Sequence, residues 1–291
     1  MLTRKIGVIG GDLRIVRLCE MFSNENYTIY TNKLDKYSFN NDNILECENI
    51  KKITDNCKYI ISGIPFSKEG VYLNAPFSNK SIKVDDLLKQ LENKILIAGA
   101  IDKTTKEKAK LQNIEINDLM DIEELTILNI IPTVEGAIQI AMEQTEFTIH
   151  SSRCLVLGFG RIGKLLSKTL KSLGAEVSCV ARKESDLAWI KTFRYNVVHI
   201  NDLKKDIQKN NYDIIFNTIP AIVLDEENLK VLKNKNTLII ELASKPGGID
   251  LEKAEEYNLK VIKAQGLPGK VAPKTAAKYI KDTLENLIFN K

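Results

Sequence analysis

The segment Arg153-Cys-Leu-Val-Leu-Gly-Phe-Gly-Arg-Ile-Gly-Lys-Leu-Leu166 decides the fold class of this chain. Four apolar residues, Cys154 to Leu157, read as a buried strand. Gly158, Gly160 and Gly163 follow at G-x-G-x-x-G spacing and open a helical pattern that runs to about Leu173. Glycines at this spacing are weak evidence alone, but strand, turn and helix in succession are the dinucleotide-binding fingerprint. Gly158 permits the tight turn, Gly160 lets backbone approach a pyrophosphate, and Gly163 lets helix and strand pack closely. Phe159, Arg161 and Ile162 complete the turn, so residues 158–163 are expected to hold the cofactor.

The following strand selects among cofactors. An NAD site usually ends it with an acid that binds the ribose 2′-hydroxyl. Here Glu176-Val-Ser-Cys-Val180 runs into Ala181-Arg182-Lys183-Glu184-Ser185. Arg182 and Lys183 suit a 2′-phosphate, which predicts NADP; the alternative is an exposed basic turn with Glu184 on a ribose. Further along, Asn217-Thr-Ile-Pro220 and Ala243-Ser-Lys-Pro-Gly-Gly248 each follow an apolar strand, at the carboxyl edge where doubly wound sheets bind ligands. Asn217, Thr218, Pro220 and Ala243 are therefore cofactor candidates. Ser244 offers a substrate hydrogen bond, and Lys245 offers a cation for a substrate carboxylate and is the catalytic candidate. The bland alternative is that the prolines and glycines of these loops simply make turns.

Working outward, apolar strand runs alternate with helical stretches along nearly the whole chain. Residues 154–157, 176–180, 196–199, 213–216, 237–242 and 259–262 supply six strands, a complete doubly wound dinucleotide fold. Lys5-Ile-Gly-Val-Ile9, Tyr27-Thr-Ile-Tyr30, Tyr59-Ile-Ile-Ser62 and Ile95-Leu-Ile-Ala98 begin a similar parallel sheet upstream. The expected class is α/β, with two Rossmann-like domains: 1–131 for substrate and 132–291 for NADP. A connecting helix enters the second domain with Val134, Ala137, Ile138, Ala141 and Met142 on one face. A closing helix at 274–291 puts Ala276, Ala277, Ile280, Leu284, Leu287 and Ile288 on one face and Lys274, Lys278, Lys281 and Glu285 on the other. It is expected to pack back onto one of the domains, the first being the more plausible.

Composition narrows the class. The 291 residues are 44% hydrophobic, and 42 basic against 38 acidic side chains leave a formal +4, which is no footprint for wrapping nucleic acid. The five cysteines are odd in number and widely spaced, so they read as buried thiols in a reducing compartment, with neither a disulfide framework nor a metal site. No apolar run approaches a membrane span and the N-terminus lacks a signal pattern, so a cytoplasmic location is expected.

Only His150 and His199 are present, both ahead of the loops that face the nicotinamide, so a downstream histidine base is not expected. In the first domain, Gly10-Gly-Asp-Leu-Arg14 and Ser62-Gly-Ile-Pro-Phe66 follow strands. Asp12 reads as a helix cap. Arg14, Ser62 and Gly63 are candidates for substrate binding, Arg14 as a carboxylate clamp. Gly10-Gly11 is no full phosphate fingerprint, so a second nucleotide is not expected.

Together, Gly10-Gly-Asp-Leu-Arg14, Ile131-Pro-Thr-Val-Glu-Gly-Ala-Ile138, Leu155-Val-Leu-Gly-Phe-Gly-Arg-Ile-Gly163, Asn217-Thr-Ile-Pro220, Ala243-Ser-Lys-Pro-Gly-Gly248 and Gly266-Leu-Pro-Gly-Lys-Val-Ala-Pro273 resemble the dipicolinate synthase A-subunit family, in order over essentially the whole chain. The chain departs from that family's usual Asp at Glu241 and its common Ala at Leu13. The resemblance implies oxidation of dihydrodipicolinate, or its hydrated precursor from the diaminopimelate–lysine pathway, to pyridine-2,6-dicarboxylate. Hydride would pass to NADP. It also implies substrate contacts at Thr133 and Glu135, a partner in the form of a flavoprotein-like B subunit, and expression in the mother cell of a sporulating bacterium. A homo-oligomer is left open. Two rivals stand beside it: an alanine or 2-hydroxyacid dehydrogenase relative, and an NADP-binding subunit that scaffolds or regulates.

Overall fold

The computed structural model describes residues 4–286. The chain forms two compact units, one made of the chain up to Asn129 and again from Pro268, the other of the continuous stretch Ile130–Leu267. The expected division at 131/132 thus lies close to the first crossing. The segment from Pro268 on, counted with the nucleotide domain in the nominal division, joins the first unit.

In the first unit the strands are β1 (Lys5–Ile9), β2 (Thr28–Asn32), β3 (Ile44–Glu46), β4 (Tyr59–Ser62), the short antiparallel pair β5 (Ser67–Lys68) and β6 (Tyr72–Leu73), β7 (Ile95–Ala98) and β8 (Glu115–Asp118). Six of them form a parallel sheet in the order β3-β2-β1-β4-β7-β8. Side chains alternate across a strand, so one strand feeds two cores. Ile6, Val8, Ile61, Ile95 and Ile97 enter the core that includes Leu18, Phe22, Ala277, Ile280 and Leu284. Ile9, Ile60, Leu96 and Ala98 enter the opposite one, with Ile53, Leu87, Leu88 and Ala109. The edge strands escape a hydrophobic-pattern reading for different reasons: β3 (Ile44-Leu-Glu46) is only three residues long, and β8 (Glu115-Ile-Asn-Asp118) has a single apolar residue.

Helix Pro273–Leu284 supplies Ala277, Ile280 and Leu284 to the first of these cores and packs on helix Leu13–Asn24. Lys281 does not share its solvated face. It is buried, with Nζ 2.8 Å from both Glu25 and Glu285 and 5.6 Å from the Phe22 ring centroid. Leu287 and Ile288 lie outside the described residues.

The second unit repeats the topology. Strands β9 (Arg153–Leu157), β10 (Glu176–Ala181), β11 (Asn196–His199), β12 (Ile214–Asn217), β13 (Leu238–Glu241) and β14 (Val261–Lys263) are parallel throughout, in the order β11-β10-β9-β12-β13-β14. Both sheets therefore have the strand order of a dinucleotide fold, with the switch point beside their first strand. One core contains Leu155, Leu157, Val180, Ile215, Leu229 and Ile239. The connecting helix is Ile130–Gln144, with Pro132 in its first turn, where a missing N–H matters least. With the preceding helix Glu123–Leu128 it makes a stretch, Glu123–Gln144, long and apolar enough by length and composition to cross a membrane. Half of its most apolar 18-residue window is buried, and Leu125, Val134, Ala137 and Ala141 serve as core residues.

Candidate active site

In the second unit the fingerprint turn links β9 to helix Arg161–Ser172. Gly158 has φ +97°, and its N–H donates to the Val180 carbonyl at 3.0 Å. A Cβ there would meet Thr218 Oγ1 at 2.5 Å. A Cβ on Gly163 would run into the Gly158 carbonyl, so the helix can lie this close to the strand only on glycine. Gly160 differs, because a Cβ there would meet nothing within 4 Å. Gly160 is also the N-cap, and no side chain caps the first N–H groups of the helix. An open space beside uncapped helical N–H groups is what a pyrophosphate requires, so these residues fit a dinucleotide.

The other fingerprint positions divide. Arg161 is exposed and Ile162 half-buried, whereas Phe159 is 3% exposed. The Phe159 ring packs against Phe193 and Tyr195, with Lys164 Nζ 5.9 Å from its centroid. Its side chain therefore serves the domain, leaving only its backbone for a ligand. Arg182 and Lys183 are exposed just past the carboxyl end of β10.

Two loops flank the turn. Thr218 Oγ1 donates to the Leu157 carbonyl at 2.8 Å, which pins the end of β12 to that of β9, while Pro220 is exposed. Asn217 is fully buried, and its amide is used internally. Nδ2 donates to Glu241 Oε1 at 2.8 Å and to the Ile219 carbonyl at 3.0 Å, and Oδ1 accepts from Ile219 N at 3.1 Å. Its expected contact with the cofactor is replaced by this role within the loops. Ala243 is buried, with its carbonyl accepting from Gln265 Nε2 at 2.9 Å, whereas Ser244 and Lys245 are exposed on the loop. On helix Ile130–Gln144, Thr133 is half-buried and Glu135 exposed. Two residues apart on a helix, they point about 160° from each other, toward different faces.

The histidines are engaged in their own turns. His199 Nδ1 accepts from Asn201 N at 3.2 Å, and His150 Nδ1 pairs with Ser151 Oγ at 2.9 Å. Among the described residues no three His, Cys, Asp or Glu side chains gather into a metal site.

The first unit presents the corresponding switch point, but its own chain fills it. Gly11 N donates to the Asn74 carbonyl at 2.9 Å, and a Cβ on Gly10 would meet Leu73, Ala75 and the Asn74 carbonyl at 3.0–3.2 Å. The Asn74 carbonyl thus takes the N–H that a phosphate oxygen would take. Asn32, at the carboxyl end of β2, is buried and donates to the Cys47 carbonyl at 2.6 Å. Ser62 is fully buried with Oγ donating to the Ile9 carbonyl at 2.6 Å, and Gly63 is pressed against Gly11.

Arg14 is not a free clamp. Asp12 caps helix Leu13–Asn24 by accepting from Arg14 N at 3.0 Å, and the same carboxylate receives Nη2 of Arg14 at 2.7 Å and Nε at 3.0 Å. Nη2 also donates to the Ile64 carbonyl. The Arg14 side chain is 6% exposed, and the chain at Gly269 lies over the pair, where a Cβ would meet Asp12 Oδ2 at 2.6 Å. Arg14 therefore ties the Gly10–Arg14 segment to the Ser62–Phe66 segment, beneath the backbone at Gly269.

Comparison with known proteins places this arrangement. Residues 5–120 match the model of the N-terminal domain of the dipicolinate synthase A-subunit. Over 287 residues, 98% of this chain and 95% of the relative, the sequence is 33% identical to the dipicolinate synthase A-subunit of Bacillus subtilis (strain 168). The chain belongs to the dipicolinate synthase A-subunit family. The crystal structure of the dipicolinate synthase A-subunit from Bacillus halodurans superimposes with a TM-score of 0.87 at 31% identity, covering 99% of this chain and 98% of that one. An L-alanine dehydrogenase shares the fold alone, with a TM-score of 0.62 at 11% identity over 98% of this chain and 91% of its own.

Within this member of the dipicolinate synthase A-subunit family, the sequence marks Glu241 only as a departure from the family's usual Asp and gives it no structural role. Glu241 ends the apolar strand β13 and looks like a strand boundary, yet its carboxylate receives Asn217 Nδ2, Ala243 N and Gly248 N. The signal available was an acid closing an otherwise apolar run directly before a glycine-rich loop.

Proposed function

We propose that this chain is the oxidising subunit of dipicolinate synthase. It binds NADP and converts dihydrodipicolinate, or its hydrated precursor, to pyridine-2,6-dicarboxylate. The observation that carries the reading is the pairing of open space at Gly160 with Arg182 and Lys183 where an NAD site would hold an acid. NADP, when bound, supplies the hydride acceptor.

The chain's own residues do the rest. The turn at residues 158–163 and the uncapped N–H groups of helix Arg161–Ser172 hold the pyrophosphate, and Arg182 with Lys183 holds the 2′-phosphate. Lys245 and Ser244, exposed on one loop, bind a substrate carboxylate. The substrate loses a hydride and a proton and its ring becomes aromatic; a hydrated precursor also loses water. No hydroxyl proton has to be removed in the hydride step, which suits a site without a free histidine. A B subunit of flavoprotein-like fold completes the enzyme, in the cytoplasm of the mother cell during sporulation.

The test is dipicolinate ultraviolet absorbance, measured with the purified chain alone and with its partner, using NADP and NAD. NADP should bind more tightly than NAD. Arg182→Asp should weaken NADP by roughly 10- to 100-fold, the worth of a charge-assisted hydrogen bond to phosphate. Equal affinities and a neutral variant would reject the NADP assignment. Nucleotide binding without turnover, even with the partner, would favour a regulatory or scaffold subunit.

A further inference from the structure

We propose that Glu241 is a positioning residue. Its buried carboxylate brackets the 243–248 loop and so fixes where Ser244 and Lys245 stand. The proposal rests on the reading of that loop as substrate-facing. Glu241 is 4% exposed at the carboxyl end of β13, beside Asn217 at the end of β12. Oε1 accepts from Ala243 N at 2.9 Å, where the loop starts, and Oε2 accepts from Gly248 N at 2.8 Å, where it ends. Oε1 also accepts from Asn217 Nδ2 at 2.8 Å, and Leu242 N donates to the Asn217 carbonyl at 2.9 Å.

The loop between these anchors is a tight turn, with Gly247 N donating to the Ser244 carbonyl at 2.9 Å and Gly247 at φ +89°. The Gly248 carbonyl accepts from Val223 N and Leu224 N at 2.9 and 3.0 Å, which joins this loop to the one after β12. A Cβ on Gly248 would run into Asn217 Nδ2 and the Ile219 carbonyl, so the anchor has no slack. One carboxylate thus holds both ends of the turn that carries Lys245 on its exposed side. All three named partners are N–H donors, so the bracket demands an acceptor on both oxygens. Glutamine has the same shape but must turn an NH₂ toward a donor, releasing at least one end of the loop.

The experiment compares wild type, Glu241→Gln and Glu241→Asp in the full chain together with its partner. Amide hydrogen exchange, which needs no turnover, should accelerate about 10-fold or more at the bonded amides of Ala243, Gly247 and Gly248 in Glu241→Gln and remain unchanged in the sheet strands. kcat should fall by about 10- to 100-fold while NADPH affinity stays within about twofold, because the fingerprint turn is untouched. Glu241→Asp keeps both acceptors on a shorter arm and should fall between the two in exchange and kcat; where the Gln variant does not fold, it carries the test. In a Lys245→Ala background, adding Glu241→Gln should change residual turnover by no more than about threefold, since the two act through one loop.

Unaltered loop exchange overturns the bracket. Exchange that rises throughout the unit, or an undiminished penalty in the Lys245→Ala background, overturns the positioning role. Absence of turnover by the wild type rejects the reaction proposed above, while the loop exchange still decides the bracket.

Discussion

Alanine at Gly160 and alanine at Gly163 are the same chemical change three residues apart, and they should fail in opposite ways. At Gly160 the added methyl meets no atom within 4 Å, and the backbone is extended at φ −78°. Replacing an N-cap glycine by alanine costs about 0.5–1.5 kcal/mol, while lowering unfolded-chain entropy returns about 0.4–1 kcal/mol, so stability should stay within about 1 kcal/mol of wild type. The methyl instead occupies the space assigned to the pyrophosphate. Overpacking of about 1–3 kcal/mol corresponds to a loss of roughly 5- to 150-fold in affinity for NADPH. At Gly163 the methyl would overlap the Gly158 carbonyl and approach its carbon at 2.9 Å. Both are backbone atoms, so helix and strand must move apart, costing about 1–3 kcal/mol of stability before any ligand is added. Urea denaturation without nucleotide and a fluorescence titration with NADPH separate the two outcomes. Wild-type affinity in Gly160→Ala would show that nothing approaches the turn there, and the cofactor assignment would fall with it.

Lys281→Met should cost about 1–2 kcal/mol, a buried-pair effect discounted because Glu25 and Glu285 remain partly exposed. Burial works against the Lys281 charge, but the hydrogen bonds it donates to Glu25 and Glu285 outweigh it and hold the amine above the ordinary lysine range. The difference from wild type should therefore be fully present below about pH 10.4 and shrink as pH rises further, as the folded-state amine loses its proton. Denaturation curves at neutral and alkaline pH check this, and a gap that widens with pH would contradict it. All five cysteines are buried, and burial pushes the Cys154 thiol up to about 11, Cys57 and Cys179 up to about 12, and Cys19 and Cys47 upward as well. Because the thiolate is the reactive form, a thiol reagent at pH 8 should label the native protein slowly and all five sites after unfolding. One fast native thiol would refute the burial argument.

Local grammar made the strand-turn-helix at Gly158, Gly160 and Gly163 legible. Three glycines with different steric duties, placed between a strand and a helix, leave few alternatives, and Asp12 as a helix cap is equally local. Tertiary partners were hidden. Nothing in the spacing of Asp12 and Arg14 reveals that the guanidinium bends back onto its own helix cap and the Ile64 carbonyl. Asn217 reads as a polar loop residue until Glu241, on the neighbouring strand, consumes its amide. Lys281 follows helical periodicity onto a solvated face, yet its long stem crosses Phe22 to reach Glu25, as amphipathic side chains do. The self-filled switch point of the first unit is unreadable for the same reason, since it depends on a carbonyl from residue 74 meeting an N–H from residue 11.

The interleaving of the two units also sets an order of assembly during synthesis. Ala277, Ile280 and Leu284 belong to a core whose other members, such as Ile6, Leu18 and Phe22, emerge from the ribosome first. Between them the ribosome must make the whole of Ile130–Leu267. At about 5–20 residues per second this interval lasts on the order of ten seconds. For that time the apolar face of helix Leu13–Asn24 lacks its partner helix, while the second unit, being continuous in sequence, can close without waiting. Weakening the first unit's late-arriving helix should lower the yield of folded protein more than an equal loss of equilibrium stability in the second unit.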